Sequence, residues 1–133
     1  MKRLAIAIAA TAALLGTPAL HAKERLSGEA QLAKLLEGRV AGEPVNCLPL
    51  SANNDVRIIA KTAIVYGRGD TVWVNQPTNA TALDPDDILV RKSQTPRVCN
   101  LDTIQLLDRS SNFYTGFVGL NQFVPYRKVA AAE

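Results

Sequence analysis

Histidine is almost absent from this chain, which contains a single one, His21, near its start. Most serine and cysteine hydrolases need a histidine to activate the nucleophile. If the first 22 residues are removed, as argued below, the remaining chain has no such base. Two cysteines without a histidine also fall short of the roughly four ligands that a zinc site requires. The sequence therefore predicts no metal site and no catalytic residue of these classes.

The motifs of common nucleotide and cofactor sites are absent as well. The chain contains no phosphate-binding loop, no dinucleotide fingerprint and no nucleophile elbow. The acidic cluster of Asp84, Asp86 and Asp87 lacks the glycine and the distal glutamate of an EF-hand, so it is better read as a solvated turn. Two-carboxylate glycosidase chemistry and a Ser–Lys dyad stay open, although no pair of residues is marked out for either. We expect a protein that is not an enzyme and that needs no cofactor.

Long apolar runs are absent beyond the start of the chain. Residues 4–15 are apolar and follow the positive pair Lys2 and Arg3, which is the order of a secretory signal peptide. Cleavage is predicted after Ala22, with Ala19 as the alternative site. The run has about 12 residues, whereas a membrane-spanning helix needs about 20. We therefore expect a periplasmic or secreted protein that does not insert into a membrane after cleavage.

The net charge of the chain is also small. The chain has 15 Lys and Arg against 12 Asp and Glu, and removal of Lys2 and Arg3 with the signal peptide lowers the basic count to 13. A net charge this close to zero gives little electrostatic attraction toward nucleic acid or an anionic membrane. The expected partner is an envelope or secreted protein, not a nucleic acid.

Cys47 and Cys99 are the only cysteines. In an oxidising compartment an even number of cysteines usually forms bridges, and two cysteines allow one connectivity. Redox-active pairs are usually close in sequence, as in Cys-x-x-Cys, and these two are not. A structural disulfide between Cys47 and Cys99 is therefore predicted.

The chain divides into four predicted parts: a signal peptide (1–22), an N-terminal helix and linker (23–45), a β domain (46–128) and a flexible tail (129–133). Ser27 is a good N-cap and Gly38 a good helix end. Leucines at 32, 35 and 36 have the spacing of one helical face. This segment is therefore predicted as one amphipathic helix that packs on the domain, with a partner-binding helix as the alternative.

Short runs rich in β-branched and aromatic residues recur between turn residues after Cys47. They predict a mainly β fold, a small antiparallel β-sandwich or partly open barrel of six or seven short strands with the one N-terminal helix. Pro125 lies inside the last run, so that strand is expected at an edge or with a bulge.

The tetrapeptide Gly67-Arg68-Gly69-Asp70 contains an Arg-Gly-Asp sequence and two glycines. A cell-adhesion ligand and a phosphate loop are two functional interpretations. A phosphate loop leads into a helix, however, and here a strand-like run follows. Glycine permits positive φ, so the segment is predicted as the turn of a β-hairpin.

Several short motifs follow one another between Asn46 and Lys128. They are a cysteine before the first strand, a Tyr…Trp-Val-Asn hairpin, a Cys-x-x-Asp step and a Gly-Leu…Phe-x-Pro-Tyr ending, at Cys47, Tyr66, residues 73–75, Cys99, Asp102, residues 119–120, Phe123, Pro125 and Tyr126. This layout resembles a family of small secreted domains of unknown function in Gram-negative bacteria. The resemblance implies a periplasmic or envelope location and no known activity. It also implies a second cysteine pair in similar proteins near the positions of Ala80 and Val118, which is absent here.

The expected function is that of a non-enzymatic interaction or envelope-associated module. Aromatic residues and arginine dominate binding hot spots, which makes a candidate contact patch of Trp73, Tyr114, Tyr126, Arg57, Arg91 and Arg127. The alternatives are a surface groove that binds a small molecule or glycan, and a glycan-acting enzyme.

Overall fold

The computed structural model describes Gly16 and residues 25–130. Apart from Gly16, the predicted signal peptide lies outside the described residues, as do residues 131–133 of the predicted tail. The elements are α1 (Gly28–Leu35), β1 (Arg39–Ala41), β2 (Val56–Ile59), β3 (Ala63–Tyr66), β4 (Thr71–Asn75), β5 (Asp87–Arg91), β6 (Thr103–Asp108), β7 (Tyr114–Gly119) and β8 (Val124–Lys128). Within the described part no helix is both long and apolar enough to cross a membrane.

Helix α1 begins where the sequence predicts. The Ser27 side chain accepts a hydrogen bond from the Ala30 N–H at 3.2 Å, which satisfies one of the donors left unpaired at a helix start. Beyond the helix, Gly38 has a φ of 72°, a left-handed conformation that glycine adopts without steric cost. With both ends fixed locally, the apolar side of α1 can pack on a sheet through Leu32, which is buried.

The strands form two antiparallel sheets. The five-stranded sheet has the order β1-β8-β4-β3-β2, and the three-stranded sheet has the order β5-β6-β7. Neither sheet closes into a barrel within residues 25–130. The predicted fold class is thus confirmed, with eight strands because β1, inside the segment predicted as helix and linker, pairs with β8.

The five-stranded sheet is apolar on both faces. Ile64 and Tyr66 of β3 face the three-stranded sheet and join the larger core cluster with Leu106 and Phe123. The alternate residues of the same strand, Ala63 and Val65, belong to a second cluster with Leu32 of α1. The molecule therefore has three layers in the order helix, five-stranded sheet and three-stranded sheet, which explains why every residue of β3 is buried.

Residues 67–70 form the predicted hairpin turn between β3 and β4. Gly67 and Gly69 have φ of 86° and 91°, so both glycines are needed for backbone reasons. Arg68 pairs with Asp55 at 2.5 Å, and the Arg39 guanidinium donates to the carbonyls of Gly69 at 2.8 Å and Asp70 at 3.0 Å. The turn is held by contacts within the chain, as the hairpin interpretation requires.

Of the two alternatives predicted for the strand with Pro125, the edge position is wrong, because β8 lies between β1 and β4, whereas a bulge-like irregularity is present in the segment that pairs with it. The Pro125 carbonyl accepts from the Gly42 N–H at 2.7 Å, so its nitrogen faces the side on which β1 has already ended. On that side Ala41 lies opposite Tyr126, and Val45 lies opposite Phe123. Residues 42–44, which follow β1, therefore lie opposite residues 124–125 of β8, so the segment after β1 has one extra residue. The missing proline N–H therefore costs no ladder bond.

The predicted disulfide is present between Cys47 and Cys99, whose Cα atoms are 4.0 Å apart. The two residues form an isolated antiparallel bridge. Main-chain hydrogen bonds flank it on both sides, from Leu48 N to Val98 O at 2.8 Å and from Asn100 N to Asn46 O at 2.7 Å. The disulfide therefore joins the segment before β2 to the segment before β6.

Candidate functional site

A cleft of about 930 Å³ opens between the edges of the two sheets. Its sides are β2, the outermost strand of the five-stranded sheet, and β5, the outermost strand of the three-stranded sheet. Every residue of β2 lines the cleft. Because neighbouring side chains of a strand point to opposite faces, this lining means that the cleft runs along the strand edge and not over one face. The complete lining is Gln31, Leu35, Asn53, residues 56–59, Tyr66, Pro85, residues 87–89, Arg91, Val98, Ile104 and Arg109.

The β2 side of the cleft presents main-chain groups. The Gly67 N–H donates to the Asp55 carbonyl at 2.8 Å, which directs the main chain of Asp55 toward β3. In an antiparallel ladder the direction alternates from residue to residue. The N–H and C=O groups of Val56 and Ile58 therefore point away from β3 and into the cleft.

The β5 side of the cleft also presents main-chain groups. The Arg109 N–H donates to the Asp86 carbonyl at 3.2 Å, so the even-numbered residues of β5 direct their main chain toward β6. By the same alternation, the main-chain groups of Leu89 and Arg91 face the cleft. In the part of the chain that the structure describes, two strand edges without a strand partner thus face each other across one gap.

Tyr66 lies at the inner end of the cleft. Its ring packs edge-to-face on Phe123, with centroids 5.6 Å apart. Burial raises the pKa of the Tyr66 phenol well above its ordinary value; the nearby Arg91 charge opposes this shift and Asp102 adds to it. The phenol is therefore neutral at physiological pH and cannot act there as a base.

Arg91 contributes to the wall of the cleft, but its guanidinium is engaged. It donates to the carbonyls of Thr95 at 2.7 Å and Arg97 at 2.9 Å, and it pairs with Asp102 at 3.4 Å. The same Asp102 oxygen accepts from the Cys99 N–H at 2.9 Å. Arg91 thus fastens the loop after β5 to the disulfide segment and serves the structure of the site.

The remaining charged residues of the cleft are Arg57, Arg109 and Asp87. Asp87 is buried and accepts a hydrogen bond from the Thr115 hydroxyl at 2.9 Å. Arg57 and Arg109 are exposed, and neither side chain forms an ion pair within residues 25–130. The mouth of the cleft therefore carries two arginines that are available to a negatively charged group.

The six residues of the predicted contact patch do not lie together. Arg57 and Arg91 line the cleft. Trp73 and Tyr126 are half-buried on opposite faces of the five-stranded sheet, each against a different core cluster. Arg127 is exposed on β8, and Tyr114 is exposed on β7 of the other sheet.

Sequence analysis missed a second surface, the outer face of the three-stranded sheet. Residues paired across an antiparallel sheet share a face, which places Ile88, Leu107 and Tyr114 together, beside Val90 and Phe117. Tyr114 is 57% and Phe117 53% exposed. Helix α1 belongs to the opposite side of the molecule. The sequence does carry a sign of this surface: consecutive residues are apolar in β5 and β6, so apolar side chains point to both faces of the sheet.

Within the described residues no group of three or more histidines, cysteines or acids is placed to hold a metal ion. The acidic segment before β5 forms a turn, in which the Asp84 carboxylate accepts from the Asp86 N–H at 2.9 Å and the Asp84 carbonyl accepts from the Asp87 N–H at 3.0 Å. This geometry agrees with the solvated-turn interpretation for Asp84 and Asp86, which are exposed, but Asp87 is buried at the start of β5.

Comparisons of the chain with protein-family models, with curated proteins and with solved structures give no match. The resemblance to a family of secreted domains stays a prediction. Its motif residues do have structural roles: Asp102 of the Cys-x-x-Asp step caps the Cys99 N–H, and Phe123 packs on Tyr66.

Proposed function

We propose that this protein is a non-enzymatic binding module of the periplasm or the secreted space, which receives its partner in the cleft between β2 and β5. The observation that carries the proposal is the cleft itself, a concave site of about 930 Å³ bounded by two open strand edges. Large pockets with a few polar groups are the usual binding sites of proteins.

The groups in the cleft favour binding over catalysis. Tyr66 stays protonated, Arg91 is fastened to Asp102, and Asp87 is bonded to Thr115. A general base must be deprotonated and within reach of the proton that it removes. Tyr66 does not meet the first condition, Arg91 is a cation held by its partners, and Asp87 is buried against Thr115, which together support a binding role.

Two observations support the proposed location. Residues 1–22 have the order of a signal peptide, and the Cys47–Cys99 disulfide is compatible with an oxidising compartment. Cleavage after Ala22 would leave a mature chain that begins at Lys23.

Site-specific photo-crosslinking in intact cells tests this proposal. A photoreactive amino acid at Arg57, on the cleft, is compared with one at Arg127, which is also exposed but lies on β8 outside the cleft. We expect a discrete adduct from position 57 and none from position 127. Equal labelling at both positions, or none at either, would contradict binding in the cleft.

A second candidate function is the binding of a small molecule or glycan in the same cleft. It is favoured by the volume, which lies in the range of small-ligand sites, and by the aromatic ring of Tyr66 at the inner end. A panel of envelope metabolites and cell-wall fragments should then raise the melting temperature, because a ligand stabilises the state that it binds. Replacement of Ile58 by tryptophan should narrow the cleft along β2 and reduce that rise.

A further inference from the structure

Resting on the proposed function, we infer that the cleft binds an extended peptide of alternating apolar and acidic residues, which adds a strand to the open edge of β2. Three features of the molecule carry this inference: the free main-chain groups, the relative direction of the two edges, and the charge at the mouth.

The main-chain groups come first. Val56 and Ile58 direct two N–H and two C=O groups into the cleft, and an extended peptide satisfies such groups by strand addition. Of the two edges, β2 is the more accessible: Val56 and Arg57 are exposed, whereas β5 begins at the buried Asp87. The peptide is therefore assigned to β2.

The direction of the strands limits how the peptide lies. The Lys61 N–H donates to the Leu83 carbonyl at 2.9 Å, which joins the end of β2 to the segment just before β5. The two edge strands consequently run in opposite directions and meet at that end. One inserted strand can be antiparallel to only one of them, and antiparallel pairing is slightly more stable per residue. We assign the peptide as antiparallel to β2.

Side chains set the pattern of the peptide. Inward residues of the added strand would meet Ile58, Leu89 and Tyr66, which are apolar or aromatic. Outward residues would meet the exposed guanidinium group of Arg57, and the exposed Arg109 lines the same cleft. Side chains alternate along a strand, so the matching peptide alternates apolar with acidic residues. Arginine suits this role because its fork of donors binds a carboxylate in two places.

The test uses three synthetic octapeptides and the oxidised mature protein. The first alternates valine with glutamate, the second alternates valine with lysine, and the third is the glutamate peptide with alternate main-chain nitrogens methylated. We expect the glutamate peptide to bind in a calorimetric titration, and both others to bind at least about tenfold more weakly, since each loses charge pairing or ladder bonds. Equal affinity for all three would overturn the inference.

Two variants separate the main chain from the side chain at one position. Val56→Pro removes an N–H that faces the cleft and leaves the bonds to β3 in place, whereas Val56→Ala changes only the side chain. We expect Val56→Pro to weaken binding of the glutamate peptide about tenfold, which corresponds to the loss of one ladder bond. Val56→Ala keeps that bond and should weaken binding less than about threefold. Equal effects of the two would contradict strand addition.

Charge is tested separately. Arg57→Gln together with Arg109→Gln should weaken the glutamate peptide about tenfold and flatten its salt dependence. Arg127→Gln together with Lys128→Gln removes the same two charges from exposed positions outside the cleft and should change neither. If the control weakened binding as much as the double variant, the peptide would be responding to overall charge.

Hydrogen exchange provides a readout that needs no variant. The amides of Val56 and Ile58 should exchange more slowly when the glutamate peptide is bound, because they become donors to it. Unchanged exchange at both amides would overturn the inference. If no peptide binds but an envelope metabolite raises the melting temperature, the peptide inference fails and the binding function stands. If neither binds and the Arg57 crosslink is absent, both fail.

Discussion

At the scale of single residues, Asp108 shows how a short side chain holds a turn. One of its carboxylate oxygens accepts from the N–H and the hydroxyl of both Ser110 and Ser111. These bonds, with the Ser110 hydroxyl first, lower the pKa of Asp108 from 3.8 to about 2. A lowered folded-state pKa stabilises the fold above the unfolded value and loses that effect as pH falls through the folded value.

We therefore predict that Asp108→Asn destabilises the protein at neutral pH, and that the difference from the wild type shrinks between about pH 4 and pH 2. Urea unfolding midpoints at pH 7, 4 and 2 measure this. Glu43→Gln, at an exposed acid that accepts no hydrogen bond within residues 25–130, is the control and should stay close to the wild type. If the unfolding midpoint of Asp108→Asn stayed as far below that of the wild type at pH 2 as at pH 7, the stabilising role of the Asp108 carboxylate would be contradicted.

Gly28 shows packing outweighing helix propensity. A Cβ at this position would collide with the Thr62 hydroxyl and the Ala60 carbonyl, closer than real contacts allow. Alanine is the better helix former, yet Gly28→Ala should lower the free energy of unfolding by about 1–3 kcal/mol, the usual cost of overpacking. Denaturant unfolding measures it, with the exposed Glu29→Ala in the same helix as control. A gain in stability would mean that α1 can shift away from the β2–β3 turn.

At the scale of elements, the disulfide joins two segments that are 52 positions apart in the chain. In the chain-entropy model a loop of that length stabilises the fold by about 4 kcal/mol, and observed values are commonly 2–4 kcal/mol. The double variant Cys47→Ser and Cys99→Ser should lose about this much free energy of unfolding. Because the flanking main-chain bonds of Leu48 and Asn100 remain, the fold itself should persist.

Chemical denaturation with far-ultraviolet circular dichroism measures this loss. The wild type under reducing conditions should match the double variant, since both lack the same crosslink. A reduced protein as stable as the oxidised one would mean that the bridge does not restrict the unfolded chain.

The elements themselves were predictable where the signal is local. Ser27 and Gly38 mark the helix, and Gly67 and Gly69 mark the hairpin, because caps and positive φ depend on the residue in place. β1 was missed because three residues carry no periodic pattern, and its partner is β8, far along the chain. The edge position predicted from Pro125 was wrong for a related reason. The missing N–H of Pro125 is tolerated inside the sheet because β1 ends just before it, and the pairing of β1 with β8 cannot be read from the sequence.

At the scale of the whole molecule, the candidate site depends on which edges remain open, and sequence pattern alone does not give strand order. Arg57 and Arg91 were selected for their residue type, and both do line the cleft. Trp73 and Tyr126 were selected for the same reason, but each is half-buried and packs against one of the two core clusters. Aromatic residues serve cores and surfaces alike, so composition cannot separate the two uses.

Within residues 25–130, no element covers the outer face of the three-stranded sheet, and this leads to a last prediction. Tyr114 and Phe117 on that face are more than half exposed, at 57% and 53%, beside Ile88, Val90 and Leu107. Exposed apolar patches promote association. The double variant Tyr114→Ser and Phe117→Ser should therefore bind less of a hydrophobic dye and associate less at high concentration in sedimentation velocity. Its free energy of unfolding should change little, because solvent already covers much of both rings.

Leu106→Ala is the matched control, since Leu106 lies on the inner face of the same sheet and is 0% exposed. It should cost about 2–5 kcal/mol, as buried leucines do, without reducing dye binding by the folded protein. If the double variant were instead destabilised as much as Leu106→Ala, the two aromatic rings would be part of a packed layer. The outer face would then be covered in solution, and the three-layer order would be incomplete on that side.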